Sequence, residues 1–200
     1  MTDVQLMSTP SSLLSDPLAL RARPKDHPRT DGFVEHVHTS EFHLATPWTR
    51  AWQWLETPET FSDGQIWPYR VDFLAVGDDT PAGFYEGGLN IHHGPLLSLP
   101  GRLDTIEETA VGGYRSLSYL YGSYVLSLRL IRPTRLEFQV FGEGESGEEA
   151  TGVEARSRVR VRLSSDVAPW IERPWSRLQG LFWSRLGDWM AKSLGSERIS

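Results

Sequence analysis

The chain of 200 residues has no cysteine, which excludes disulfide bonds and thiolate metal sites. It also has no run of about 18 apolar residues, so no membrane span is predicted. Its first residues lack the basic region and apolar core of a signal peptide. Because no export signal is visible, we expect a cytoplasmic location.

Positive charge is scarce as well. Lys and Arg total 20 against 26 Asp and Glu, a formal net charge of −6, which disfavours a general nucleic-acid binder. No G-x-S-x-G, Walker-type, G-x-G-x-x-G or H-E-x-x-H motif is present. The pairs Gly87-Gly88 and Gly112-Gly113 lie in a strand context and indicate turns or bulges, not phosphate-binding loops. We expect no nucleic-acid partner and no cofactor.

Large aromatic residues are abundant: eight Trp, eight Phe and six Tyr. One interpretation is a solid core built from large rings. The other is a cavity with aromatic walls, because pockets for small molecules are rich in such side chains. The composition alone leaves both interpretations open.

The N-terminal part divides into a lead and the start of a domain. Residues 1–31 contain four prolines among Ser, Thr and charged residues and are predicted to form an irregular lead. Residues 32–200 are predicted to form one domain. It begins with a strand over 33–44, whose inward face carries the alternate residues from Val34 to Leu44. Pro47 opens a helix with Thr46 as its N-cap, and a second short helix is predicted over 59–65.

A series of strands follows these helices. Strands are predicted over 66–76, 84–93, 102–110, 114–121 and 124–131, with further inward rows at 136–140 and 155–163. The predicted turns include Gly112-Gly113 and Arg132-Pro133-Thr134. Loops are predicted at 93–101 and at the acidic, glycine-rich stretch 142–152.

The last of these strands, VEARSRVRVRL, places four arginines at positions 156, 158, 160 and 162 on one face. One interpretation is a stripe that binds an anionic partner. The favoured interpretation is the solvent face of a strand whose arginines pair with acidic neighbours such as Glu137.

The C-terminal segment 168–194 is predicted to be one long helix. Its large apolar residues step by three or four positions and so fall on one stripe: Trp175, Leu178, Phe182, Leu186 and Trp189. Such a helix needs a broad apolar surface, and the strands upstream supply it. The sequence therefore predicts an α+β fold, in which a curved antiparallel sheet of about seven strands grips a long C-terminal helix and two short helices follow the first strand.

This order of elements resembles the helix-grip fold of the SRPBCC (START-like, polyketide cyclase) superfamily. The resemblance spans about residues 33–194 and is carried by FHLATPWTRAWQWL, by the hairpin series, and by RVRVRL running into RPWSRLQGLFWSRLGDWM. It implies a deep, mostly apolar cavity between the sheet and the terminal helix. Members of the superfamily bind lipids, quinones or polyketides, and some catalyse cyclisation or dehydration. No Rieske-type iron–sulfur motif is present, so an oxygenase subunit is not implied.

Candidate residues for the cavity are aromatic, apolar or histidine side chains placed on the predicted inward faces. They are His36, His38, Trp52, Tyr69, Tyr85, His92, Tyr119, Tyr124, Phe138, Trp175, Leu178, Phe182 and Leu186. Arg115 and Glu107 join the histidines and tyrosines as candidates for a general acid or base. The spacing His36-x-His38 occurs in metal sites on strands, and either His92 or His93 could supply a third ligand. No carboxylate sits at the spacing of a cupin site, so the pattern is incomplete and no metal is expected.

Three functions remain possible on the sequence. The first is a binder of a hydrophobic small molecule such as a lipid, a quinone or a polyketide. The second is a cyclase or dehydratase acting on such a ligand, which requires at least two polar side chains inside the cavity. The third is a protein-interaction module that uses the arginine row or residues 1–31.

Overall fold

The computed structural model describes residues 28–63, 69–75, 77, 80–94, 97–120, 129–143 and 155–199. In these residues the strands are β1 (Val34–Leu44), β2 (Arg70–Leu74), β3 (Leu89–Gly94), β4 (Leu97–Thr109), β5 (Gly112–Tyr119), β6 (Ile131–Glu143), β7 (Arg156–Val167) and β8 (Arg198–Ile199). The helices are α1 (Trp48–Glu56), α2 (Pro58–Ser62) and α3 (Glu172–Leu194), the last preceded by a 3-10 turn at Pro169–Ile171.

All these strands belong to one antiparallel sheet. Its order is β2-β3-β4-β5-β6-β7-β1-β8, so the first strand is added beside the seventh. The predicted α+β fold is confirmed, with eight strands in the described part of the chain instead of about seven. The additional strand is the two-residue β8, which pairs with the end of β1 after α3 has ended at Gly195.

The inward faces of β1 and β7 agree with the alternation in the sequence. Phe42 and Leu44 are buried, as are Val159, Val161 and Leu163. They join one apolar core with the buried side chains of α1 and α3. Burial of this row on both neighbouring strands fixes their register, since a shift by one residue would turn it outward.

The prediction of which apolar stripe of α3 packs against the sheet is wrong by about one residue position. The row buried against the sheet is Trp175, Gln179, Trp183, Leu186 and Met190. Leu178 is 52% exposed, and Phe182 and Trp189 are only half-buried. Both rows carry large aromatic rings, so helical periodicity could not tell which one faces the sheet. The tertiary packing places Phe182 and Trp189 at the margin of the helix–sheet contact.

The glycine pair at Gly112-Gly113 does not form the predicted turn. The turn lies at Ala110 and Val111, and both glycines begin β5. A Cβ atom on Gly113 would lie 2.3 Å from the Trp52 ring, and one on Gly112 would lie 2.3 Å from a backbone oxygen of β6. The glycines therefore permit close approach of neighbouring groups.

Two further turn and loop predictions are wrong. Arg132-Pro133-Thr134 lies inside β6, where the pairing with β7 shifts register at Pro133, and the chain turns before it, at Arg129, which has a positive φ of 52°. The predicted loop over 93–101 is largely strand, because β4 begins at Leu97. The predicted strand over 124–131 falls mostly on residues 121–128, and the predicted lead mostly on 1–27; both stretches lie outside the described residues.

The outer face of the sheet carries paired charges. Arg162 Nε donates to Glu137 Oε2 at 2.6 Å, and Arg160 Nη2 lies 2.6 Å from Glu41 Oε2. The predicted pairing of the arginine row with Glu137 is confirmed. Among the described helices, none is long and apolar enough to cross a membrane.

Candidate functional site

A cavity of about 320 Å³ lies between the sheet and α3. Its floor is formed by inward side chains of β3 to β7, such as Leu99, Leu136 and Leu163. Its roof is the side of α3 that carries Leu178, Phe182 and other large residues. The main strand contacts of α3 are with β1 and β8, at one edge of the sheet. Because α3 stands away from β2 to β4 at the other edge, the cavity remains between them.

Aromatic rings in edge-to-face contact form much of the cavity wall. Phe182 contacts Tyr69 at 4.7 Å and Trp183 at 4.8 Å between ring centroids. At the α2 end, Phe61 contacts Trp189 at 6.0 Å. Edge-to-face pairs are favourable beyond the area that they bury. They hold the roof together without filling the space below it.

Tyr69 lies at the margin of the cavity because the neighbouring strand leaves room for it. A Cβ atom on Gly94, at the end of β3, would lie 2.5 Å from the Tyr69 ring. Leu178 lines the cavity and is also 52% exposed, so the first half of α3 forms the rim of its mouth. The cavity therefore opens to solvent beside the helix.

Two polar side chains meet on the floor. His92 Nδ1 lies 3.0 Å from the Tyr119 hydroxyl oxygen, and both residues line the cavity. Burial lowers the pKa of His92 to about 4, with the nearby charges of Arg115 and His93 adding to the effect. Burial also raises the pKa of Tyr119. At neutral pH the pair is therefore an uncharged imidazole and an uncharged phenol.

A smaller recess of about 40 Å³ adjoins this pair and is lined by Arg115, Asn90 and His92 among apolar groups. Burial lowers the pKa of Arg115 to about 9, and Glu56 partly opposes the shift. The guanidinium therefore stays protonated at neutral pH. It donates from Nη1 to the carbonyl of Leu55, near the C-terminus of α1, where the helix dipole favours a cation.

Of the predicted cavity residues, the structure brings a majority together around one space. Those that line the cavity are Tyr69, His92, Tyr119, Phe138, Trp175, Leu178, Phe182 and Leu186. Trp52 lies in the core under α1 against Gly113, and Tyr85 lies in the link between β2 and β3. Tyr124 lies outside the described residues. Glu107 is opposite Tyr114 in the β4–β5 register, on the outer face of the sheet.

His36 and His38 do face inward, but away from the cavity. His36 is 8% exposed, and its Nδ1 lies 3.7 Å from Glu172 Oε1 at the start of α3. Burial lowers the pKa of His38, with the neighbouring His36 as a second cause. In the described part of the chain, no three metal-binding side chains come together. These histidines lie beneath the first turns of α3.

Several lining residues were not predicted from the sequence. They include Phe61, Val71, Leu97, Leu99, Ile131, Leu136, Leu163, Gln179, Trp183 and Trp189. The alternation in β6 and β7 indicated that Leu136 and Leu163 face inward, but not that they border a cavity. Gln179 is polar and was missed for that reason; it is 6% exposed and accepts a hydrogen bond from Trp183 Nε1 at 2.8 Å.

The protein is similar to known proteins in its three-dimensional structure. No family model and no curated protein matches the sequence. The X-ray structure of norcoclaurine synthase from Thalictrum flavum is 13% identical, with a TM-score of 0.52 over 90% of this chain and 98% of that chain. The structure of the same synthase in complex with dopamine and hydroxybenzaldehyde is 12% identical, with a TM-score of 0.51 over 82% and 88%. The protein therefore shares the fold of this synthase, and the helix-grip arrangement that its order of elements predicted is confirmed.

Proposed function

We propose that the protein binds a hydrophobic small molecule in the cavity between the sheet and α3. The observation that carries this proposal is a cavity of about 320 Å³ walled by aliphatic and aromatic side chains. Packed cores leave few voids larger than a water molecule, whereas ligand sites occupy roughly 300–1,000 Å³. A cavity of this size between the sheet and α3, open to solvent beside the helix, is better explained by a ligand than by poor packing.

The likeness to norcoclaurine synthase supports a ligand with an aromatic or other rigid apolar body. That synthase is named in complex with dopamine and hydroxybenzaldehyde, two small ring compounds. In the present chain the rings of Phe138, Trp175 and Phe182 line the cavity. Flat apolar groups pack against such rings in edge-to-face or offset arrangements.

Replacing Leu163 by tryptophan is expected to weaken ligand binding at least about tenfold, because the larger ring extends from β7 into the cavity. Leu163 is 5% exposed and lines the cavity. Binding is measured with the neutral fluorescent probe N-phenyl-1-naphthylamine, whose emission rises in apolar surroundings. The wild-type protein is expected to bind one probe molecule saturably.

The matched control is Val37→Trp, which places the same ring on the outer face of β1, where Val37 is 37% exposed. It is expected to bind the probe as the wild type does. Absence of saturable binding in the wild type, or equal loss in both variants, would contradict the proposed cavity. Thermal unfolding of both variants establishes that each is folded under the assay conditions.

A second candidate function is proton-transfer catalysis, as in a cyclase or dehydratase. The specific observation is the pair His92 and Tyr119, 3.0 Å apart on the cavity floor. An uncharged imidazole accepts a proton from a bound substrate, and an uncharged phenol donates a hydrogen bond or a proton to a carbonyl oxygen. These are the two polar groups that the enzymatic hypothesis requires inside an apolar space.

The catalytic candidate is tested by exchange of the α-protons of 2-tetralone in D2O, followed by NMR. If the pair acts as base and acid, the wild type accelerates exchange, and His92→Gln and Tyr119→Phe each reduce the acceleration about 10²-fold or more. The rate is expected to be flat above pH 5 and to fall as the pH approaches 4, where His92, with its pKa of about 4, becomes protonated. No acceleration by the wild type, with the ketone shown to bind, would leave the protein a binder without this activity.

A further inference from the structure

Arg115 is a charged side chain that neither the core nor the proposed apolar site accounts for. It projects inward from β5 and is 4% exposed. Its guanidinium carbon lies 3.8 Å from the centroid of the Phe84 ring and 5.1 Å from that of Phe138. Burying an ion in such surroundings is costly unless it is paired or well hydrogen-bonded.

The hydrogen bonds of this guanidinium are few. It has five N–H groups, and Nη1 donates one bond, to the backbone carbonyl of Leu55. In the described part of the chain the carboxylate that acts on its charge is that of Glu56, but the two side chains do not form an ion pair. The carbonyl at the end of α1 therefore accepts one hydrogen bond from the guanidinium. The other N–H groups can donate to another acceptor.

Asn90 is a second polar group with incomplete bonding at the same place. It lies on β3, is 2% exposed, and its Oδ1 has no hydrogen-bond partner. The two ends of an amide exchange by rotation, so Asn90 can present either a donor or an acceptor to the recess. A buried side-chain oxygen without a hydrogen-bond partner costs free energy, and such a group at a pocket wall is typical of a contact that a ligand completes.

The recess that these two residues line lies directly beside the main cavity. Phe61, Val71, His92, Leu136 and Phe138 border both spaces. The recess has a volume of about 40 Å³, whereas one water molecule occupies roughly 30 Å³ in the liquid. The recess is therefore large enough for a group of a few atoms, such as a carboxylate. A molecule whose apolar body lies in the cavity can therefore extend a small polar group toward Arg115.

We propose that the ligand is an apolar carboxylic acid whose carboxylate binds Arg115 and Asn90 in the recess while its apolar body occupies the cavity under α3. This inference rests on the proposed binding function and narrows its ligand class. A planar guanidinium donates two parallel hydrogen bonds to a carboxylate, and the Asn90 amide supplies a further donor. His92, uncharged at neutral pH, borders the recess. Arg70 lines the main cavity and pairs there with Asp72, so Arg115 is the cation of the recess that selects the acid.

Wild-type protein is first titrated with dodecanoic acid and with 1-dodecanol, two probes that share a chain and differ in the head group. We expect the acid to bind at least ten times more tightly than the alcohol at pH 7. If the two bind equally, the inference is overturned and the proposed function stands. If neither dodecyl probe binds while N-phenyl-1-naphthylamine does, the inference is overturned and the proposed function stands. If N-phenyl-1-naphthylamine also fails to bind, both fall.

The Arg115→Met variant keeps the length of the side chain and removes its charge. It is expected to lose the preference for the acid while binding the alcohol within about twofold of the wild type. Arg177→Met, on the exposed face of α3, is the matched control and is expected to keep the preference. A preference that persists in Arg115→Met overturns the inference.

A measurement on the wild type keeps the inference testable if Arg115→Met does not fold. Dodecanoic acid labelled with ¹³C at the carboxyl carbon is bound to the protein and followed by NMR from pH 8 to pH 4.5. Beside a guanidinium the bound acid stays ionised throughout this range. In an apolar cavity without a cation its pKa rises, so protonation within the range overturns the inference.

Discussion

Replacing Asp166 by alanine is expected to lower the free energy of unfolding by about 3–5 kcal/mol. Asp166 is 0% exposed near the end of β7, and Arg132 opposite it on β6 is 1% exposed. The Arg132 Nη1 atom lies 4.0 Å from Asp166 Oδ2. Removal of the carboxylate takes a counter-charge away from a buried guanidinium, and this loss of charge pairing is the main source of the expected change.

The same carboxylate also holds the chain that enters the domain. Asp166 Oδ2 accepts hydrogen bonds from Thr30 N at 3.3 Å and from Thr30 Oγ1 at 3.1 Å. Arg132 Nη1 donates to the Pro28 carbonyl at 3.3 Å. The cluster therefore joins residues 28–30 to the sheet just before β7 passes into the 3-10 turn and α3. Its loss is expected to loosen the segment from which the roof of the cavity starts.

Urea denaturation at pH 7 measures this effect, with Asp188→Ala as the matched control. Asp188 also pairs with an arginine, since Arg198 Nη1 lies 2.8 Å from its Oδ1, but its side chain is 66% exposed. Exposed pairs contribute about 0–1 kcal/mol, so the control should change stability little. Similar losses in the two variants would contradict the importance assigned to burial.

Replacing Glu137 by glutamine is expected to cost about 3 kcal/mol at pH 7. Glu137 is 4% exposed on the outer face of β6. Its two oxygens are both engaged: Tyr114 Oη donates to Oε1 at 2.7 Å, and Arg162 Nε donates to Oε2 at 2.6 Å. A neutral amide retains an acceptor for the phenol but leaves the charge of Arg162 without its partner.

The cost of Glu137→Gln should depend on pH in a defined direction. Burial by itself would raise the pKa of Glu137, but the hydrogen bonds from Arg162 and Tyr114 and the charges of Arg162 and Arg135 lower it overall from the ordinary 4.5. A carboxyl whose pKa is lower in the folded state stabilises the fold above its unfolded pKa. The difference between wild type and variant should thus be constant from pH 7 to about 4.5 and shrink below that, as wild-type Glu137 takes up a proton.

The matched control for Glu137 is Glu41→Gln. Glu41 pairs with Arg160, two residues from Arg162 on the same face of β7, but the Glu41 side chain is 33% exposed. Its replacement is expected to cost no more than about 1 kcal/mol at pH 7. A pH-independent difference for Glu137→Gln between pH 7 and pH 3 would contradict the lowered pKa.

The charged clusters on the outer face of the sheet help to explain how a cavity can exist on its inner face. On β6 and β7 the outer face holds Glu137, Arg162 and Asp166 in ion pairs and hydrogen bonds, whereas the inner face presents Leu136, Phe138 and Leu163. The sheet can therefore be held in register by its outer face as well as by its core. The inner face can therefore remain incompletely packed against α3, which leaves a cavity between them.

Much of the fold could be predicted because each element carries its own local signal. Alternation in VRVRL specified the inward row Val159, Val161 and Leu163, and Pro47 marked the entry to the first helix. The predicted N-cap was wrong, because Pro47 itself is the N-cap and Thr46 Oγ1 has no hydrogen-bond partner. Turn predictions based on glycine and proline were less successful. Gly112 and Gly113 permit close packing against β6 and Trp52, and Pro133 lies at an irregularity in β6. These residues are therefore explained by tertiary contacts and not by turns.

The sequence by itself determined the order of the strands and helices, the inward faces of β1, β6 and β7, and the presence of a long aromatic C-terminal helix. Only the tertiary structure decided which row of α3 meets the sheet. The buried row lies about one residue away from the predicted one, so that Trp183 is buried and the half-buried Phe182 and Trp189 line the cavity. It also decided that His92 and Tyr119 meet on the floor of the cavity and that Arg115 and Asn90 line the recess beside it. Periodicity reports which residues share a face, whereas a cavity depends on the distance between two faces that are far apart in the chain.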